Sequence, residues 1–266
     1  MKEFEIKLLT KEVTELARTI GHSIKQEIAK IKDQDVVEKG KSNFVTYVDK
    51  AAEETIVEKL RKLFPEAGFL TEEKTAQEEK DFMWIIDPLD GTTNFIHGVP
   101  LFSVSIALQR KGETIAGVVY EPNLDECFYA WEGSKAYLND KELEVSDSNE
   151  LSDSLIATGF PYSKDQKLKN YMALLLDLLE TSHGIRRLGS AAIDLAYVAA
   201  GRYEAFYEYG LHPWDIAAGA FIVKQAGGKV TDFSGGNNYM KDMEITATNT
   251  AIHQQLLTKI QKYMSK

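Results

Sequence analysis

Two carboxylates three residues apart, Asp87 and Asp90, lie in the stretch Trp84-Ile85-Ile86-Asp87-Pro88-Leu89-Asp90-Gly91-Thr92-Thr93-Asn94-Phe95. Like charges that close repel unless a cation or a proton lies between them. Met83 to Ile86 is continuous and apolar, the pattern of a short buried strand. Pro88 lacks a backbone donor and biases Asp87 away from helix, so the chain is expected to leave the strand there. Gly91 tolerates conformations that other residues resist, and Thr92, Thr93 and Asn94 are natural caps for a following helix. Both carboxylates would then sit at a strand's carboxyl end, facing the amino end of a helix or turn. Carboxylates placed there can hold hard cations, and free backbone N–H groups can hold a phosphate. Asp-Pro followed by Asp-Gly-Thr is also ordinary turn chemistry, so the stretch alone leaves turn and site both open.

More carboxylates fall at ends of elements. Glu72 and Glu73 close the short strand begun by Phe69-Leu70, and Asp215 lies in a turn feeding a helix, within Gly210-Leu211-His212-Pro213-Trp214-Asp215. Asp49 stands at a helix start, where an N-cap is the favoured reading. Together they suggest an oxygen-only cluster, and such donors select Mg²⁺, Mn²⁺ or Ca²⁺ over zinc. His22, His97, His183, His212 and His253 lack the paired spacing of a zinc motif. Neither an EF-hand loop nor a Walker glycine loop is present. The single cysteine, Cys127, lies in Glu126-Cys127-Phe128-Tyr129-Ala130-Trp131, which reads as a strand, so it is a poor candidate nucleophile.

These residues belong to a chain of 266 residues, long enough for one large or two smaller domains, with 44% hydrophobic and 27% charged residues. A formal net charge of -10 argues against a nucleic-acid backbone or an anionic membrane as the main partner. A small phosphorylated ligand stays possible if metal ions neutralise the site. One cysteine excludes an intrachain disulfide and fits a reducing compartment. Met1 to Lys11 is charged and lacks a signal peptide's apolar run, and no stretch is long enough to span a bilayer. A cytoplasmic location is expected.

The elements that must position the carboxylates follow from periodicity. Phe4, Leu8, Leu9, Val13, Leu16, Ile20, Ile24, Ile28 and Ile31 predict a long amphipathic helix over residues 3 to 32. A second helix runs from Asp49 to Phe64, and Lys74 to Asp81 reads as a solvated loop. Phe102 to Leu108 and Ile115 to Tyr120 predict a hairpin with a longer loop, extended by Glu126 to Trp131 and Ala136 to Leu138 into an antiparallel meander. Past Ser146 strands alternate with helices. Leu155 to Gly159, Arg186 to Gly189, Tyr203 to Tyr207, Lys229 to Asp232 and Glu244 to Thr248 are strand-like. Tyr171 to Leu179, Ala191 to Ala200, Trp214 to Ala226 and Ile252 to Tyr263 are helical, with Ser190 or Gly189 capping the second. No repeat or linker intervenes, so two sub-domains, 1–146 and 147–266, are expected in one unit.

With both carboxylate segments in view, the chain resembles the inositol monophosphatase family of Mg²⁺-dependent, Li⁺-sensitive phosphatases. The first signature is Trp84 to Phe95; the second is Trp214-Asp215-Ile216-Ala217-Ala218-Gly219, continuing to Ala226-Gly227-Gly228. The resemblance implies an α/β (α+β) fold, a layered αβαβα sandwich of helix pairs and mixed or antiparallel sheets. It implies that Glu72, Asp87 and the Leu89 carbonyl hold a first ion, that Asp87, Asp90 and Asp215 hold a second, and that Glu72 carries a weakly held third. Mn²⁺ could replace Mg²⁺, and Li⁺ would inhibit. Thr92 and Asp49 would orient the attacking water alongside Glu72; Gly91, Thr92 and Thr93 would cradle the phosphate. Gly189, Ser190, Ala191 and Glu208, with Asp215, match segments that contact the sugar or polyol. The ions would neutralise the phosphate dianion and the leaving alkoxide and acidify a water, with no phosphoenzyme. A homodimer is implied as well.

Two departures lie beside Glu72: Thr71 replaces a common glycine, and the loop from Glu73 to Asp81 looks short. Pro213 is a milder variation, and the site lysine is ambiguous between Lys39 and Lys41. The substrate is expected to be myo-inositol monophosphate. Fructose 1,6-bisphosphate, histidinol phosphate, NADP(H) and 3′-phosphoadenosine 5′-phosphate are alternatives within the same chemistry, and a non-catalytic metal-binding protein is the alternative from another class. Choice among substrates rests on loops such as Asp140 to Ser154 and Tyr162 to Lys169; Glu208 favours a hydroxyl-rich alcohol.

Overall fold

The structure, a computed structural model, describes residues 3–31, 36–40, 43–161 and 166–265. Lys41 and Tyr162 to Asp165, named above among site and loop candidates, lie outside them. The chain begins with α1 (Glu3–Glu27), a hairpin of β1 (Val36–Gly40) and β2 (Asn43–Thr46), then α2 (Tyr47–Leu63). Next come β3 (Gly68–Thr71), β4 (Gln77–Glu78), β5 (Phe82–Asp90), α3 (Thr92–Ile96), β6 (Ser103–Arg110) and β7 (Glu113–Glu121). They are followed by β8 (Glu126–Trp131), β9 (Ala136–Leu138), β10 (Lys141–Leu143), β11 (Leu155–Thr158), α4 (Gln166–Thr181), β12 (Gly184–Arg186) and α5 (Ala191–Ala199). The chain closes with β13 (Ala205–Tyr209), α6 (Pro213–Gln225), β14 (Lys229–Thr231), α7 (Tyr239–Asp242), β15 (Glu244–Thr248) and α8 (His253–Met264).

Two sheets carry the fold. The larger has eight strands in the order β10-β9-β8-β7-β6-β5-β3-β4, antiparallel except for the parallel pair β3 and β5. The smaller is mixed, in the order β12-β11-β13-β15-β14, with β11 parallel to both its neighbours. Three apolar clusters bind five layers. Ile20, Ile24, Ile56 and Leu60 of α1 and α2 close on Trp84, Ile106 and Val118 of the large sheet. Its other face meets the small sheet across α5 and α6, through residues such as Val119, Ile193, Ile222 and Phe206. Leu174, Leu178, Leu256 and Ile260 of α4 and α8 cover the outer face of the small sheet. The result is the expected αβαβα sandwich. α5 and α6 are apolar all round, as helices buried between two sheets must be. The large sheet ends at Leu143 and the small one begins at Leu155, and on that division we propose the sub-domain boundary near Ser146.

Several local expectations change. Pro88 does not end the strand: β5 continues to Asp90, and the proline is absorbed in an irregular register against β6 between Asp87 and Asp90. The hairpin between β6 and β7 turns on two residues, Lys111 and Gly112, both with positive φ, so the loop is short and suited to the strands' twist. The stretch 74–81 contains β4, an edge strand paired with β3, with Ala76 buried. α1 turns Ile6, Thr10, Val13 and Ala17 inward, while Phe4 and Leu8 face out at 69% and 51% exposure.

Candidate active site

Of the expected site residues, Glu72, Asp87, Leu89, Asp90, Gly91, Thr92, Thr93, Gly189, Ser190, Ala191, Glu208 and Asp215 line one cavity of about 180 Å³. Asp49 does not line it. It is fully buried behind Thr92, and the Thr92 hydroxyl is placed to donate to Asp49 Oδ1 at 3.1 Å or to the Leu89 carbonyl at 3.0 Å.

Asp49 is not the N-cap of α2; Thr46 is. Asp49 is the N3 residue of the capping box, and its Oδ2 accepts from the Thr46 N–H (2.9 Å) and hydroxyl (2.6 Å). Asp215 repeats the device at the start of α6, where its Oδ2 accepts from the His212 N–H at 2.6 Å. Two carboxylates are thus aimed by helix starts, whose dipoles favour negative charge. Asp87 is set by the irregular end of β5, with Oδ1 accepting from the Leu89 N–H at 2.9 Å. Asp90 Oδ2 accepts from the Ser190 hydroxyl (2.6 Å) and the Ala192 N–H (2.7 Å), which ties β5 to the start of α5, where Ser190, not Gly189, is the cap. Gly91 takes φ 98°, and a Cβ there would meet the Leu101 carbonyl oxygen at 3.1 Å, so glycine is required on both counts.

The site is strongly anionic. Burial, then Glu72, Asp90 and Asp215, push Asp87 well above the usual carboxylate range. Burial and Asp90 do the same to Asp215; burial pushes Asp90 up to about 6, against the hydrogen bonds from Ser190 and Ala192. Glu72 faces Asp87 closely enough to push its carboxyl up, and two carboxylates so placed repel unless a cation or a proton lies between them. Among the described residues no three acidic, imidazole or thiol side chains already stand as a ligand set for one ion. The donors nevertheless fit a hard divalent cation: carboxylate and carbonyl oxygens from three segments, in a pocket without sulfur or a buried imidazole.

Four residues have places at the site that the sequence does not assign them, and the first of them, Asn94, lies inside α3 and does not cap it. Asn94 donates from Nδ2 to the carbonyls of Leu101 and Leu188, both at 2.8 Å, and so draws the 187–190 segment onto α3. Arg187 lines the pocket as the cation acting on Asp90, Asp194 and Glu208. Asp194, 1% exposed, also lines it, and its Oδ1 has no hydrogen-bond partner. Its signal was available: it is the one charged residue in the apolar helix α5. Gly159, just after β11, leaves room for the Glu208 carboxyl, which burial pushes up to about 8.

An acidic pocket with oxygen donors beside a glycine-hydroxyl turn, held at the strand ends of an αβαβα sandwich, is the setting of a metal-dependent phosphatase. The inositol monophosphatase family model matches residues 6–265. A Pseudomonas aeruginosa protein named Nus factor SuhB is 46% identical over 93% of this chain and 94% of its own. An inositol-1-monophosphatase of Mesorhizobium japonicum is 42% identical over 95% and 96%. The crystal structure of the extragenic suppressor protein suhB from Bartonella henselae superposes with a TM-score of 0.90 at 42% identity, covering 94% of this chain and 97% of that one. The chain belongs to the inositol monophosphatase family.

Proposed function

We propose that this chain hydrolyses a small polyol phosphomonoester, with myo-inositol monophosphate as the reference substrate, by Mg²⁺-dependent attack of water. The observation that carries this reading is the meeting of Glu72, Asp87, Asp90 and Asp215 in one cavity with Gly91 to Thr93 and Glu208. Glu72, Asp87 and the Leu89 carbonyl would hold one ion, Asp87, Asp90 and Asp215 another, and Glu72 a weaker third. Bound there, Mg²⁺ supplies charge neutralisation for the phosphate and acidifies water. The Thr92 hydroxyl has one proton, directed to Asp49 or to Leu89, so its remaining lone pair can accept from the attacking water. Asp49, held on its other oxygen by Thr46, fixes that orientation. Glu72 takes up the proton. The turn Gly91 to Thr93 receives the phosphate, and Gly189, Ser190, Ala191 and Glu208 receive the alcohol. A Glu208 carboxyl at about 8 keeps its proton near neutrality and can both donate to and accept from a polyol. Lithium inhibition, a homodimer and a cytoplasmic location belong to the same reading.

The test is phosphate release with Mg²⁺ from a panel of inositol 1-phosphate, fructose 1,6-bisphosphate, histidinol phosphate, NADP and 3′-phosphoadenosine 5′-phosphate. Inositol 1-phosphate is expected to turn over fastest; no release from any member would refute the reading. The name of the Pseudomonas relative favours a second role, as a Nus factor. It would be supported if this chain replaced that relative in its host while carrying an inactivating Asp87→Asn change.

A further inference from the structure

Glu53 lies one helical turn after Asp49 on α2, and both side chains are fully buried. No step described so far uses it. Both its oxygens nevertheless accept hydrogen bonds from the turn that follows Glu72. Oε2 accepts from the Glu73 N–H at 2.8 Å; Oε1 accepts from the Thr75 N–H at 2.9 Å and the Thr75 hydroxyl at 2.7 Å. The buried Thr71 hydroxyl closes the same turn by donating to the Ala76 carbonyl at 3.2 Å, and the Glu72 N–H continues the pairing of β3 with β5 by donating to the Ile86 carbonyl at 3.2 Å.

A turn at the protein surface is ordinarily fixed by Gly, Asn, Asp or Ser within the turn itself, with no charge taken out of water. Burying a carboxylate is costly unless every lone pair is matched, and such a group persists where position matters. The segment it holds begins at Glu72, which lines the acidic pocket with Asp87. Its partner one turn earlier, Asp49, holds the Thr92 hydroxyl. One face of one helix therefore sets two walls of the site, 20 to 43 residues away in sequence.

We propose that Glu53 is a positioning residue that fixes Glu72 for ion binding by clamping the 73–75 turn to α2. The proposal rests on reading Glu72 as an ion ligand. Thr71, through its hydroxyl to the Ala76 carbonyl, completes the clamp from the strand side.

The test is Mn²⁺ binding to the metal-free full-length protein, followed by electron paramagnetic resonance, for wild type, Glu53→Gln, Thr75→Ala and the exposed neighbour Glu54→Gln. A glutamine at 53 turns an NH₂ toward a backbone N–H, so one half of the clamp opens while the volume is kept. Loss of a group that orients a metal ligand weakens affinity about 10- to 100-fold. That range is expected for Glu53→Gln, with a smaller loss of the same sign for Thr75→Ala and none for Glu54→Gln. In turnover assays the half-saturating Mg²⁺ concentration should rise while the substrate KM stays put. A folded Glu53→Gln protein that binds Mn²⁺ like wild type overturns the proposal, even if it melts earlier. Thr75→Ala, on an exposed residue outside the core, keeps the test decisive if Glu53→Gln does not fold, since unchanged Mn²⁺ affinity there overturns it equally. Wild-type protein that binds no Mn²⁺ refutes the ion-ligand reading of Glu72 itself, and the proposal with it.

Discussion

Replacing Gly159 with alanine would test the alcohol side of the pocket with a single methyl group. A Cβ at 159 would fall 2.0 Å from Glu208 Oε1 and 2.1 Å from its Cδ and Oε2, so the carboxyl must retreat by roughly 1 Å or more. Gly159 has no left-handed φ, and the clashing atoms are the end of a flexible side chain, so the backbone is under no demand to move. The main cost should therefore appear in binding. A misplacement of about 1 Å can lower the rate on the order of 100-fold, and leaving a buried donor or acceptor unmatched costs about 1–3 kcal/mol. For inositol 1-phosphate, kcat/KM is expected to fall about 10- to 100-fold, chiefly through KM. p-Nitrophenyl phosphate, whose leaving group has no hydroxyls for Glu208, should be hydrolysed nearly as before. Glu208→Ala should match this pattern, and the double variant should be no worse than either single one. Equal losses on both substrates, or additive losses in the double variant, would refute the placement of Glu208 against the substrate hydroxyls.

Ser190→Ala removes both the cap of α5 and the donor to Asp90, and should cost about 2–4 kcal/mol in urea unfolding. His253 is 2% exposed, its two ring nitrogens lie 3.1 and 2.9 Å from the Thr231 and Thr248 hydroxyls, and burial, then Lys229, hold its pKa down to about 4. The unfolded chain takes that proton first, near pH 6.5, so the contribution is complete above that value. It is lost as the pH falls from about 6.5 to about 4. After allowance for solvent screening this amounts to about 2 kcal/mol, and urea melts of His253→Gln should show that much less acid sensitivity across the same window.

The carboxylates were legible because each sits at the end of an apolar run, where periodicity stops and the chain turns. Asp87, Asp90 and Asp215 are of this kind, and the helix pairs and the meander followed from spacing in the same way. What was not legible depends on contacts distant in sequence. Pro88 reads locally as a strand breaker, yet β6 holds the register around it. Phe4 and Leu8 fit a helical stripe, but α1 is rotated so that Ile6 and Thr10 pack instead. Glu53 reads as one more charge on an amphipathic helix until the turn at Thr75 closes over it. Asn94 and Gly159 are ordinary turn residues until Leu188 and Glu208 arrive from far along the chain. Short elements such as β4, β10 and α7 carry too few residues for a period to be read.

The central claim is that carboxylates from three segments make this pocket a metal-dependent phosphatase site. It is tested most directly by phosphate release from inositol 1-phosphate with Mg²⁺, comparing wild type with Asp87→Asn. The amide keeps the shape, and its Oδ1 can still accept from the Leu89 N–H, but the charge at the centre of the cluster is gone. The expected result is a protein that melts like wild type or higher, since a repelled buried carboxylate has been removed, with turnover lowered at least about 1,000-fold. Turnover within about tenfold of wild type, in a folded variant, would contradict the claim.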